Sequence, residues 1–155
     1  MQKSDLPPEY SAIGKSIIGC AFEVRRTVGR GLREKYYESA LVWELRQRGH
    51  DVKRQHPIKA LYKGVEVDDC FVADILVDDK VIIETKALKS FTESEVRQLY
   101  TYLYLTGCRL GYIINFGVDD FRTANLKTDQ HPYSFGIYRV VNTRGFEAKA
   151  FSPSQ

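Results

Sequence analysis

The sequence predicts an α/β (α+β) chain with one mixed central sheet flanked by helices, in the order α-αβββαβ plus a C-terminal strand. Three observations predict it. Two stretches repeat apolar residues at helical spacing before any strand pattern begins. Three runs rich in β-branched residues then follow one another with turn chemistry between them. A capped helix and a short apolar strand come next, an alternation that lays helices against a sheet.

The first helix spans Tyr10 to Val28, and Ile13, Ile17, Cys20, Ala21, Val24 and Val28 form its apolar stripe. Pro7-Pro8 precede it and Gly29 and Gly31 close it. A second helix runs from Leu32 to Arg48 and ends at Gly49, with the stripe Tyr37, Ala40, Leu41 and Leu45. One turn back, that stripe lands on Glu34. Spacing alone favours a carboxylate stabilised by the helix dipole over an acid aimed at the sheet.

The first strand covers Val52 to Tyr62, with Lys63-Gly64 as its turn, and the second covers Val65 to Val77. Alternation slips near Asp68-Asp69, where a bulge fits. The third strand runs from Val81 to Leu88. Thr92-Glu93-Ser94-Glu95 is a capping-box pattern opening a third helix through Val96, Leu99, Tyr100 and Leu103 to Gly107. Gln98 lies beside that stripe. Leu110 to Asn115 is nearly all apolar, as in a strand buried on both faces. Ser134 to Val141 reads as another strand, Asn142-Thr143-Arg144-Gly145 as a turn, and Ser152 to Gln155 as a fraying end.

A length of 155 residues suits a single domain, 1–155. Its 43% hydrophobic and 28% charged residues suit a soluble globular protein rather than a disordered one. No apolar run approaches the roughly 20 residues that span a bilayer. Met1-Gln2-Lys3-Ser4-Asp5 lacks the apolar segment of a signal peptide, so the expected location is cytoplasmic and no membrane partner is expected. Cys20, Cys70 and Cys108 match neither a zinc spacing nor a disulfide framework and read as small buried thiols. His50, His56 and His131 show no ligand spacing. Trp43 and the tyrosines read as core or interface side chains rather than stacking platforms. A net charge of +3 does not establish a polyanionic partner. Arg25, Arg26, Arg30, Arg33 and Lys35 cluster near the second helix, and Lys53, Arg54, Lys59 and Lys63 follow; such clusters bind phosphates or are plain solvated surface.

The chemistry concentrates in Asp74 and Glu84-Thr85-Lys86. The runs Phe71–Val77 and Val81–Lys86 flank the polar triplet Asp78-Asp79-Lys80 as a hairpin. If Val77 pairs with Val81, Asp74 lies opposite Glu84, and alternation places Lys86 on the same face as Glu84. The plain reading is solvated charges on a strand. Apolar neighbours on both faces argue against it, because buried charges must be paired or hold a metal. Two acids and a lysine so placed suit a divalent cation and phosphodiester hydrolysis.

Helix, three strands, helix and strand, with an acid before Glu-x-Lys, resembles the core of the PD-(D/E)XK nuclease superfamily, a restriction-endonuclease-like fold. The GxxExxY protein family is similar in more detail. Its name motif appears as Gly31-Leu32-Arg33-Glu34-Lys35-Tyr36-Tyr37, followed by Glu38-Ser39-Ala40-Leu41, Ala73–Val77, Val81–Ala87, Gln98–Leu103 and Asn115-Phe116-Gly117. The resemblance covers about residues 10 to 117 and leaves 118–155 as a C-terminal extension. Thr85 stands where a hydrophobic residue is frequent, and Ala73 where the superfamily has proline; neither removes a functional atom.

The resemblance implies a Mg²⁺- or Mn²⁺-dependent phosphodiesterase or endonuclease acting on DNA or RNA. It implies Asp74, Glu84 and the Thr85 carbonyl as metal ligands, with Glu34 completing the acidic site. Lys86 would steady developing charge or position water, and Gln98 would orient a neighbour or the substrate. Glu34, Asp74, Glu84, Lys86 and Gln98 are thus the candidate catalytic residues. The alternatives are a catalytically silent nucleic-acid-binding or protein-assembly module on the same fold, and a dimeric partner subunit; a homodimer is left open.

Overall fold

The computed structural model describes residues 6–143, with the backbone alone for 68–70. Two helices lead into the sheet. Helix α1 (Pro8–Val28) has proline in its first turn, where the missing N–H costs nothing, and buries Ile13, Ile17, Cys20, Ala21 and Val24. Helix α2 (Glu34–Gln47) begins two residues later than the pattern predicts, because Arg33 remains extended. Glu34 is therefore its first helical residue. Helix α2 buries Tyr37, Leu41, Val42 and Leu45, and also Glu38. Trp43, on its outer side, is 59% exposed and is not a core residue.

Strands β1 (Val52–Tyr62), β2 (Val65–Val77) and β3 (Val81–Lys86) form an antiparallel meander. Its first turn, Lys63-Gly64, has positive φ at both residues, the geometry that matches strand twist in a two-residue hairpin. Ile58 pairs with Phe71 and Ala60 with Val67, so residues 68–70 oppose Lys59 alone. The expected irregularity is there, and it is larger than a single-residue bulge. Helix α3 (Glu93–Thr106) then carries the chain back, so that β4 (Leu110–Asn115) lies parallel to β3. Thr92 caps α3 with the full reciprocal capping box, and Gly107 closes it in the left-handed region. Strand β5 (Ile137–Val141) pairs antiparallel with β4, completing the sheet order β1-β2-β3-β4-β5.

Two apolar layers sandwich this sheet. Ile75, Val77, Val81, Ile83 and Tyr112 pack against α1 and α2. Leu76, Ile82 and Ile113 pack against Leu99 and Leu103 of α3. Consecutive residues of β3 serve opposite layers, which is why the strand reads as a continuous apolar run. His50 ties the helical layer to the sheet: Nδ1 lies 2.7 Å from Asp78 Oδ2 and Nε2 lies 2.6 Å from Ser16 Oγ. Cys20 and Cys108 are buried thiols. No helix among the described residues is long and apolar enough to cross a membrane.

Two strand limits differ from the sequence pattern. Strand β3 stops at Lys86, not Leu88, because the Leu88 amide donates to Asn115 Oδ1 instead of extending the ladder. Strand β5 starts at Ile137, not Ser134, because Pro132–Ser134 forms a 3-10 turn. Residues 144 and 145 of the expected final turn, and the expected frayed end at 152–155, lie outside the described residues.

The 118–136 connector is held by specific contacts. Tyr37, Phe116 and Phe121 stack in sequence, with ring centroids 4.6 and 5.4 Å apart. Arg122 grips both oxygens of Asp129 at 3.0 and 2.8 Å and lies over the Phe135 ring. Tyr133 packs on Phe91 and Tyr138.

Candidate active site

The β2–β3 hairpin pairs Val77 with Val81, Leu76 with Ile82 and Ile75 with Ile83. The next rung belongs to Asp74 and Glu84, and there the ladder ends. The Asp74 amide donates to Glu84 Oε2 at 2.8 Å. The Thr85 amide and hydroxyl both donate to Asp74 Oδ2, at 2.9 and 3.2 Å. On its other side β2 loses the same rung. Arg54 pairs with Ile75 and His56 with Ala73, but Gln55 between them takes φ +51°. A left-handed glutamine inside a strand is a strained conformation, and such conformations cluster at functional sites. Asp74 thus drops out of both neighbouring ladders, and its carboxylate replaces backbone pairing.

Gln55 makes use of that turn. Its Nε2 donates to Glu38 Oε1 at 2.8 Å and to Asp74 Oδ1 at 3.2 Å, joining α2 to the acid on β2. Glu38 is fully buried, and its Oε2 accepts from Arg54 Nε at 2.6 Å. A buried carboxyl needs such hydrogen-bond partners to replace the water it has lost. Asp74 therefore has both oxygens engaged and its direction fixed.

Glu84 is 5% exposed. Burial, then the neighbouring Asp74 charge, pushes its carboxyl up to about 8, against the pull of the Asp74 amide and the Lys86 ammonium. Burial also raises the Glu34 carboxyl; the Lys86 ammonium opposes this, and Asp74 and Glu38 add to it. Glu34, half-buried at the start of α2, thus shares an electrostatic environment with Asp74, Glu84 and Lys86. From the α3 side, Tyr102 is raised by burial first and then by Glu84 and Asp74. Lys86 is half-buried at the end of β3, its carbonyl accepting from the Phe116 amide at 2.8 Å. Gln98 is exposed on α3, and no hydrogen bond among the described residues ties it to the acids.

Among the described residues no three His, Cys, Asp or Glu side chains form a ready metal cage. Asp74 and Glu84 are in contact, and Glu34 stands off at electrostatic range. Mg²⁺ is ordinarily held by one or two carboxylates with several waters, so a two-carboxylate site with the Thr85 carbonyl fits it. A buried carboxyl pushed to about 8 by an adjacent acid is also what a cation would relieve.

Tyr37 explains the spacing of the Gly31–Tyr37 motif. Its hydroxyl donates to Gly29 O at 2.7 Å and accepts from the Leu32 amide at 3.2 Å. Gly31, at φ +97°, makes the bend that a side chain would strain. One tyrosine, three residues after Glu34, thus holds the turn that aims it.

Three further residues shape the site without having stood out as candidates. Glu38 lies one turn after Glu34, but a charge beside an apolar stripe reads as surface. Gln55 reads as an ordinary strand residue, since nothing in a sequence announces a left-handed glutamine. Asn115 is fully buried, and its Oδ1 accepts from the amides of Leu88 and Gly117 at 2.8 and 3.1 Å. The basic clusters are largely spent on pairing: Arg25 on Val118 O, Arg26 on Glu23, Arg30 on Asp119, Lys53 on Asp79 and Arg54 on Glu38.

A sheet with helices on both faces, carrying Asp74 and Glu-Thr-Lys on adjacent strands, defines the restriction-endonuclease-like class. A family model described as the PD-(D/E)XK nuclease superfamily matches residues 11–127. The chain belongs to that superfamily. No curated protein and no solved structure matches the chain.

Proposed function

We propose that this protein is a metal-dependent nuclease that hydrolyses phosphodiester bonds in DNA or RNA. The observation that carries the reading is the contact between Asp74 and Glu84 where the strands part, with the Glu84 carboxyl pushed to about 8 and Lys86 two residues on. Perturbed carboxylates beside a lysine at a sheet rim mark a functional site more than a structural ion pair. The motif Gly31, Glu34 and Tyr37 supports placement among the GxxExxY proteins, since each residue serves the geometry of one acid.

Asp74, Glu84 and the Thr85 carbonyl would hold Mg²⁺ or Mn²⁺, which when bound supplies charge neutralisation at the phosphate and a more acidic water. Gln55 and the Thr85 amide fix the direction of Asp74. Lys86 places an ammonium where charge develops on the phosphoryl oxygens, in a partly buried setting that strengthens it. Glu34, its carboxyl raised by burial, would complete the acidic site from the start of α2. Gln98 is assigned a substrate-orienting role from the exposed side of α3.

The test is a cleavage panel of single- and double-stranded DNA and RNA with Mg²⁺ or Mn²⁺, alongside the Asp74→Asn variant. Metal-dependent cleavage lost in Asp74→Asn is expected. Salt-sensitive binding without cleavage of any substrate would overturn the reading in favour of a binding module.

A further inference from the structure

Two cavities flank the connector that leaves Lys86. The first, of about 540 Å³, lies between Arg30 and Leu32 on one side and Leu88, Lys89 and Gly117 on the other. Its walls continue the two segments that carry the site: Leu32 is two residues before Glu34, and Leu88 is two after Lys86. The second, of about 480 Å³, is lined by Ser90, Phe91, Gln130, His131, Tyr133 and Ser134. From Lys86 to Phe91 the chain spans at most about 18 Å even if fully extended.

We propose that these cavities receive one unpaired nucleic-acid strand, a backbone phosphate in the first and a nucleobase in the second, which makes single strands the preferred substrate class. The proposal rests on the nuclease reading and deepens it. The first cavity offers the exposed cations Arg30 and Lys89. The Asp119 carboxylate that pairs with Arg30 is 89% exposed, so a phosphate exchanges for it at little cost. A Cβ at Gly117 would lie 2.6 Å from Leu88 N and O, so glycine lets the connector pack closely against the end of β4.

The second cavity combines the half-buried Tyr133 ring, backed by the buried Phe91, with polar edges. The Phe91 and Tyr133 rings lie 5.2 Å apart, and Tyr138 packs against both. The Phe91 amide donates to Tyr133 O, fastening the 118–136 connector to the start of α3. The side chains of Ser90, Gln130 and Ser134 make no hydrogen bond among the described residues, so their donors and acceptors are available to a base edge. Aromatic faces with adjacent polar side chains are how unpaired bases are read, and a base held in a duplex stack does not reach such a pocket. The 118–136 connector, whose role the sequence leaves unassigned, thereby becomes the element that selects strandedness.

The experiment measures binding of a labelled single-stranded oligonucleotide, and of the same oligonucleotide annealed to its complement, to the full chain in EDTA across a salt series. Single-strand binding is expected to be roughly tenfold or more tighter than duplex binding. Tyr133→Leu should weaken it by about 5- to 150-fold, with Tyr133→Phe close to wild type. Lys89→Ala should lower the single-strand salt slope by about 0.7. Gln130→Ala, an exposed change that leaves the fold intact, should weaken single-strand binding selectively. Duplex binding as tight as single-strand binding, no binding of either, or wild-type affinity in Gln130→Ala and Tyr133→Leu would overturn the proposal. Because binding is read without metal, the two readings fail separately. Single-strand binding without cleavage in Mg²⁺ or Mn²⁺ removes the nuclease and leaves this site. Cleavage confined to duplexes removes this site and leaves the nuclease.

Discussion

The Asp74 amide donates to Glu84 Oε2 at 2.8 Å, on the rung where the β2–β3 ladder ends. A backbone donor that would have paired in the sheet instead holds one acid beside another. The sheet thereby gives up a rung and gains a pair of carboxylates at a fixed separation.

That pair has a pH signature. Glu84 has a carboxyl at about 8 in the folded chain against an ordinary 4.5, so the fold retains a proton that the unfolded chain has released across that window. The unfolded state binds fewer protons there, and the metal-free fold loses stability as pH rises from about 4.5 to about 8. A cation favours the ionised form, so its stabilising effect runs the other way. Thermal melts with millimolar Mg²⁺ or Mn²⁺ should show a larger rise in Tm above pH 8 than near pH 5. Glu84→Gln should flatten both trends. A rise in Tm independent of pH would separate Glu84 from cation binding.

Lys86 and Asp74 should divide chemistry from binding. On the proposed reading the Lys86 ammonium acts on transition-state charge, and losing one such contact in Lys86→Ala should cost on the order of 10²–10³ in rate. Its Mn²⁺ affinity should stay near wild type. On the same reading Asp74 is a charged ligand, so Asp74→Asn should weaken Mn²⁺ directly. Single-turnover cleavage and Mn²⁺ titration of both variants read the two effects. Wild-type cleavage by Lys86→Ala would make the Glu84-Thr85-Lys86 motif a structural remnant.

The order of elements was legible because each carries its own chemistry. The capping box at Thr92–Glu95 and the Lys63-Gly64 turn are local signals, and both stand in the structure as the pattern predicts. The Val77–Val81 register was legible because a three-residue turn leaves little choice. Glu38, Gln55 and Asn115 were not, because their roles are created by long-range contacts. Glu38 needs Arg54 and Gln55 from another element to be satisfied when buried, and Gln55 needs Asp74 to leave the ladder. The same reason hid the end of β3, which is set by a side chain 27 residues away.

Glu38 should matter to stability more than its surface-like sequence context suggests. Glu38→Ala removes a buried acceptor from Arg54 and Gln55, and charged hydrogen bonds of this kind contribute about 1.5–3 kcal/mol. Arg54 is partly solvated and recovers some of its loss from water, so a cost of about 2 kcal/mol in urea denaturation is expected. Activity should fall further than stability, since Gln55 then loses the anchor that directs it at Asp74. Destabilisation with unchanged single-turnover cleavage would confine Glu38 to a packing role.

Asn115 makes the sharpest comparison. Its Oδ1 accepts from two backbone amides, while its Nδ2 has no partner among the described residues. Asn115→Ala takes this acceptor from the Leu88 and Gly117 amides; a fully buried donor so left costs about 1–3 kcal/mol, and water recovers part of that for these part-buried amides. The unpartnered Nδ2 already costs something, which places the net loss toward the lower end. Asn115→Asp keeps the acceptor at the same position and puts a second oxygen where Nδ2 stood. As a neutral acid it should fold nearly as well as wild type; as a buried anion it should not. Burial raises the pKa of such a carboxyl, so the folded form holds its proton longer than the unfolded one, and stability relative to wild type falls as pH rises. Urea midpoints of both variants and wild type at acid and alkaline pH decide it. The Asn115→Ala deficit should be the same at both, and the Asn115→Asp deficit should be small in acid and large in alkali. Equal deficits for Asn115→Asp at the two pH values would show that water reaches the site, and no deficit in Asn115→Ala would show that the two amides do not depend on Asn115.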